Sequence, residues 1–270
     1  MIDEQLSDFA NKGFGGVFVH PRYGMITEYA SEEWYDLVDY AARRAKREGM
    51  DLWFYDENSY PSGFAGGHVP AEMPSSYNEG HALRLHRQTL FQPDSAKEYL
   101  LFHTEGDTFR DITATYGQYI GKEGNFLLYE KVYYPVTPWY AGHSYVDLLK
   151  PGVTEKFIEL TMTGYEEKLG KQFGGTVPGV FTDEPNIAPQ GGKGLIRWTP
   201  DLFEQFEKRW GYRIQPHLNA LVESNAMSRQ VRHNYYQLLL ELFIERWSKP
   251  WFEYTENQNL AWTGHYWEHG

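Results

Sequence analysis

Three short apolar runs in this chain each end in an acidic cluster, and few folds accommodate that pattern. They are Asp51-Leu52-Trp53-Phe54-Tyr55-Asp56-Glu57, Val177-Pro178-Gly179-Val180-Phe181-Thr182-Asp183-Glu184-Pro185 and Leu260-Ala261-Trp262-Thr263-Gly264-His265-Tyr266-Trp267-Glu268. A fourth run, Gly16-Val17-Phe18-Val19-His20, is ended by Pro21. Short apolar runs of this length, bounded by turn residues, read as buried strands. A parallel barrel gathers the C-terminal ends of its strands on one face, and its chemistry sits there.

The segments between the runs carry helical periodicity. Ile2, Leu6, Phe9 and Ala10 share one face of an opening helix, which Gly13 stops. Ser31 is placed to cap the next helix, with Glu32 and Glu33 in its first turn. Its stripe is Trp34, Leu37, Val38, Ala41 and Ala45, and Gly49 ends it. Strand, helix, strand with short loops is the βαβ unit of a parallel sheet. After Pro151, Ile158, Met162, Tyr165 and Leu169 share a face. Thr199-Pro200 supplies an N-cap and a first-turn proline for a helix bearing Phe203, Phe206 and Trp210. A long helix is expected over Met227 to Trp247, with Pro250 breaking or kinking it.

From about His81 to Tyr134 the pattern changes. Tyr99-Leu100-Leu101-Phe102, Ile112-Thr113-Ala114-Thr115-Tyr116 and Phe126-Leu127-Leu128-Tyr129 are short β-type runs. They predict a small antiparallel insertion carried by a barrel loop. The fold expected is therefore α/β: one domain over residues 1–270, a partial TIM-type (β/α)8 barrel with a β-rich insertion at about 81–134. A closed barrel needs eight strands, and four are recognisable. The chain opens inside a helix and closes on a strand, so strands are expected to be missing from both ends. The edges left open would favour self-association.

Composition narrows the function classes. The formal net charge of −12 lacks the basic footprint of a nucleic-acid binder. Arg43-Arg44-Ala45-Lys46-Arg47 reads as the solvated face of a helix. With no cysteine, disulfides, thiolate metal sites and a Cys nucleophile are excluded. No apolar stretch is long enough for a bilayer, and Met1-Ile2-Asp3-Glu4-Gln5 has no signal-peptide character. A soluble protein is expected. The aromatic share of 17%, with 9 Trp and 21 Tyr, suits a carbohydrate cleft, because flat rings stack on the C–H faces of sugars.

Carboxylates gathered at strand ends among such rings point to glycosidic cleavage. That reaction needs one group to protonate the leaving oxygen and another to activate water or attack carbon. Glu184 stands just past a strand end and is followed by Pro185, which gives it a set direction. Asp56 and Glu57 are adjacent and project differently, so one of the two reaches the centre. The Ser59 to Gly67 loop offers backbone donors to a sugar pocket. It lacks the Lys-Ser/Thr ending of a phosphate-binding loop. His265-Tyr266-Trp267-Glu268-His269 matches the H-x-x-E-H zinc pattern in letters. That pattern works on a helix, whereas here it follows a strand. A sugar-binding His265 and an acidic Glu268 are the better reading. His20, Arg22, Tyr55, Asp56, Asp183, His265 and Trp267 are the candidates for contact with substrate.

Four blocks, in order, resemble the catalytic barrel of family 106 glycoside hydrolases, which are α-L-rhamnosidases. They are Gly13 to Arg22; Leu52 to Asn58 with Pro61-Ser62-Gly63-Phe64-Ala65-Gly66-Gly67; Phe181 to Pro185; and Thr263 to Glu268. The resemblance implies an exo-acting, inverting enzyme with a pair of glutamates and a calcium ion near the sugar. By motif, Glu57 and Glu184 are the pair and Glu268 the third candidate. Asp56, Asp183 and Glu57 are the nearest ligands for calcium. No organic cofactor is implied. The substrate would be a plant-derived glycan or glycoside, and such enzymes are often periplasmic or secreted. Family members are much longer than this chain. Two alternatives stand beside this reading. One is a retaining glycosidase with Glu184 as acid/base and its nucleophile outside the chain. The other is a non-catalytic carbohydrate-binding remnant.

Overall fold

The structure, a computed structural model, describes residues 1–22, 24–106 and 108–266. Its strands are β1 (Gly16–Val19), β2 (Asp51–Tyr55), β3 (Ala82–Leu90), β4 (Tyr99–Glu105), β5 (Thr108–Asp111), β6 (Glu123–Val132), β7 (Gly179–Asp183), β8 (Leu195–Arg197) and β9 (Ala261–His265). Its α-helices are α1 (Ile2–Asn11), α2 (Glu32–Glu48), α3 (His68–Glu72), α4 (Val153–Leu169), α5 (Leu202–Trp210), α6 (Ser228–Phe243) and α7 (Lys249–Asn257). Two compact units result: residues 1–76, 136–186 and 243–270 form one, and residues 77–135 and 187–242 the other.

The first unit is built on a four-stranded sheet in the order β1-β2-β7-β9, parallel throughout. All four expected parallel strands are present. β1 and β9 are its edges, so the described residues form an open sheet with no barrel closure. Alternation along the strands separates two faces. Leu52, Phe54 and Val180 are fully buried on the helix-covered face. There Phe54 stacks on Tyr165 of α4 at 4.3 Å between ring centroids, and Trp34 of α2 donates its indole N–H to the Tyr165 hydroxyl at 2.8 Å.

Helix α2 forms where its capping signals place it. The Ser31 hydroxyl accepts from the Trp34 N–H, and Gly49 takes the left-handed conformation at the other end. Leu37, expected in the buried stripe, is instead exposed. The long helix expected over 227–247 runs as α6, widens into a π-helical turn at Ile244–Ser248, and continues as α7. Pro250 sits in the first turn of α7 and has no N–H for the carbonyl four residues before it, which accounts for an irregularity there. Helix α5 has Asp201, and not Thr199, at its N-cap position, and the Asp201 side chain makes no capping hydrogen bond to the backbone. Among the described residues no helix is long and apolar enough to cross a membrane.

The second unit holds a five-stranded antiparallel sheet, ordered β5-β4-β6-β3-β8. Phe91, Leu101, Ile112, Phe126 and Leu128 form a buried cluster in it. The expected β segment at about 81–134 is antiparallel, with two differences. Ile112 to Tyr116 is not a strand: the Thr113 hydroxyl accepts the Leu101 N–H and takes the place of a ladder bond. The sheet is also completed by β8, which pairs with β3 from outside that segment.

Candidate active site

The second face of the parallel sheet is aromatic and half open. Phe18 is 52% exposed and lies against Trp53 and Phe181, with ring centroids 5.7 Å away in each case. Tyr55 and Phe181 are 4.6 Å apart. At the C-terminal rim, His20 stacks flat on Tyr55 at 3.9 Å, and His265 meets the edge of Phe181 at 5.2 Å. Burial, and then the nearby Arg22 charge, lower the His20 pKa to about 4, so the ring is neutral at ordinary pH. Its Nε2 is buried without a hydrogen-bond partner. Arg22 itself is exposed.

The carboxylates beyond the strand ends divide into two pairs. Asp183 and His265 are register partners on β7 and β9, with Oδ1 3.5 Å from Nδ1. Glu184 follows, half-buried, and its N–H donates to the His265 carbonyl at 2.7 Å. Its φ is 49°, in the left-handed region that non-glycine residues rarely enter. Gly264 allows β9 to lie this close. Its φ is 154°, and a Cβ there would stand 1.9 Å from the Thr182 carbonyl oxygen.

Asp56 and Glu57 are both fully buried. The Glu57 Oε1 accepts from the N–H groups of Gly63 at 2.7 Å and Phe64 at 3.1 Å, and Oε2 accepts from Gly66 at 3.1 Å. The backbone donors that the loop was expected to offer a sugar are thus turned onto Glu57. Burial and then the adjacent Asp56 charge push the Glu57 pKa up, against the opposing pull of these N–H groups. Asp56 accepts the Ser62 hydroxyl at 2.8 Å through Oδ1. Burial raises its pKa to about 7; the Thr182 and Ser62 hydroxyls oppose the shift and the Asp183 charge adds to it.

The structure therefore brings His20, Tyr55, Asp183, Glu184 and His265 to one rim, and places Asp56 and Glu57 beneath it. Glu268, Trp267 and His269 lie outside the described residues. His265 ends a strand, the context anticipated in setting aside the helical zinc motif. Asp56 and Asp183 are the pair expected to ligate calcium. Asp56 is sealed from solvent with Oδ1 on Ser62 and Oδ2 buried without a hydrogen-bond partner, and no group of three or more His, Asp or Glu side chains among the described residues is placed to hold a metal ion. Two residues whose hydroxyls accept backbone N–H groups on either side of Glu184 were not anticipated: Ser62, from Asp183, and Tyr145, from Asn186. Ser62 lies in the recognisable Pro61-Ser62-Gly63 motif; Tyr145 carries no local signal.

No protein-family model and no curated protein matches this chain. Among solved structures it resembles a rhamnosidase from Novosphingobium sp. PP1Y, with a TM-score of 0.63 at 12% sequence identity. The match covers 98% of this chain and 44% of that protein, so the chain spans less than half the length of the enzyme it resembles. At that identity the likeness is one of fold, in this chain a mixed α/β arrangement with a parallel and an antiparallel sheet.

Proposed function

We propose that this chain is the catalytic portion of a glycoside hydrolase that removes a terminal α-L-rhamnoside-like sugar with inversion. The observation that carries the reading is Glu184, a carboxylate in a left-handed backbone conformation at the end of β7. Strained non-glycine residues of this kind cluster at functional sites. Beside it lies a half-open aromatic face of the sort that stacks on sugars. The fold likeness to a rhamnosidase and the motif resemblance favour the same substrate class, a plant-type glycan or glycoside.

Glu184 and Glu268 are the carboxylates assigned to the reaction. One protonates the glycosidic oxygen as its bond to the anomeric carbon breaks. The other takes a proton from the water whose oxygen forms the new bond, which calls for a separation of roughly 6.5–9.5 Å. Glu57, with both oxygens engaged by backbone, is assigned to holding the loop. His20, Arg22, Tyr55, Asp183, His265 and Trp267 are assigned to substrate contact. A calcium ion, if one is held, would need Asp183 and oxygen ligands other than Asp56.

The test is release of 4-nitrophenol from its α-L-rhamnopyranoside, with the product anomer followed by proton NMR. The β-anomer of rhamnose as first product supports inversion; the α-anomer would put a retaining mechanism in its place. Binding of rhamnose with no turnover of any aryl glycoside would leave a carbohydrate-binding module.

A further inference from the structure

The left-handed Glu184 is held by a clamp built from outside its own strand. Ser62 donates its N–H to the Asp183 carbonyl at 2.7 Å, and its hydroxyl oxygen accepts the Asp183 N–H at 2.8 Å. The same hydroxyl donates to buried Asp56 at 2.8 Å, so its proton and its acceptor direction are both set. Tyr145, fully buried, donates to the Ser62 carbonyl at 2.7 Å and accepts the Asn186 N–H at 3.1 Å. With the Glu184 N–H on the His265 carbonyl, backbone groups before, at and after Glu184 are each tied. A residue in a sparsely populated conformation persists only where its surroundings over-determine it. Here the determinants are two hydroxyls from segments remote in sequence.

We infer that Ser62 and Tyr145 are positioning residues for Glu184, clamping Asp183 and Asn186 on either side of it and thereby setting the direction of its carboxylate. The inference rests on the assignment of Glu184 to glycoside hydrolysis. Neither hydroxyl is required to touch the sugar. Their loss should leave binding nearly intact and slow the step in which Glu184 acts, because small misplacements of a reacting group are costly in rate.

The experiment compares Ser62→Ala, Tyr145→Phe and Glu184→Gln in the intact protein, using 4-nitrophenyl α-L-rhamnopyranoside and a crystal structure of each hydroxyl variant. The expected result is a loss of about 10- to 100-fold in kcat for each hydroxyl variant, with KM within about twofold of the parent. In the crystal, Glu184 should leave the left-handed region or the 183–186 segment should shift. Tyr145→Phe removes one oxygen with no change of shape, and it decides the matter if Ser62→Ala does not fold. Parental kcat at temperatures below the variants' melting transitions would overturn the inference, as would a Glu184 backbone unchanged in both crystals. An inactive parent protein would defeat the hydrolase reading alone, since the backbone comparison needs no turnover.

Discussion

His20 lies flat on Tyr55, 3.9 Å between ring centroids, at the rim where β1 and β2 end side by side. The stack covers one face of the imidazole and is part of the burial that, with the Arg22 charge, lowers its pKa and leaves the ring neutral near pH 7. The His20 ring is expected to titrate with a midpoint near 4 by NMR. In Tyr55→Ala the uncovered ring should move toward the ordinary value of 6.5. A midpoint already at 6.5 in the parent protein would contradict the placement of this ring.

Glu184→Gln preserves size and removes the ionisable group. Turnover of the aryl rhamnoside is expected to fall by about 10²–10⁴-fold, the range for losing a general acid or base. Glu268→Gln should fall comparably. Undiminished turnover in either variant would remove that residue from the reaction.

Glu57 makes a different prediction, because its partners are backbone. Glu57→Ala leaves three N–H groups of the 63–66 loop without acceptors inside the protein, at a cost of about 1–3 kcal/mol for each buried group that stays unsatisfied. Urea unfolding is expected to show a loss of about 3 kcal/mol or more. A neutral substitution would mean that the loop does not depend on this carboxylate.

Asp56 should make stability depend on pH. Its folded-state pKa is raised from 3.8 to about 7, so between those values the folded protein keeps a proton that the unfolded chain releases. The stabilising contribution is complete below about 4 and is lost as pH rises through 7. Melting temperature should therefore decline from pH 5 to pH 8, and Asp56→Asn should flatten that decline. An unchanged slope in Asp56→Asn would assign the effect to another group, Glu57 being the next in line.

Much of the first unit could be read from residue types. Helix α2 announces itself through Ser31, its acidic first turn and Gly49, and each of the four parallel strands follows from an apolar run. Apolar patterning predicts strands over Val177 to Phe181 and Leu260 to Thr263, N-terminal of the observed Gly179–Asp183 and Ala261–His265. Apolar patterning marks what is buried, whereas pairing continues into the polar residues Asp183 and His265, which are register partners. Strand β8 carries no signal in the sequence, because three residues after a glycine-rich stretch make no pattern. The sorting of Asp56 and Glu57 was equally hidden. Adjacent acids look alike in sequence, and only the closure of the 62–67 loop distinguishes Glu57, which takes the loop's backbone N–H groups, from Asp56, which takes the Ser62 hydroxyl.

The clamp around Glu184 joins groups far apart along the chain: Ser62 and Asp183 are separated by 121 residues. Closing so long a loop carries an entropic cost that is offset only once the strands between and around the two ends are in place. The left-handed turn at Glu184 is therefore expected to be among the last features acquired in folding and among the first given up in partial opening. Amide protons of Asp183, Glu184 and Asn186 should exchange with solvent sooner than those in the middle of β2. Reactivity at this rim would then be a property of the fully consolidated unit, absent from any looser state that still retains the sheet.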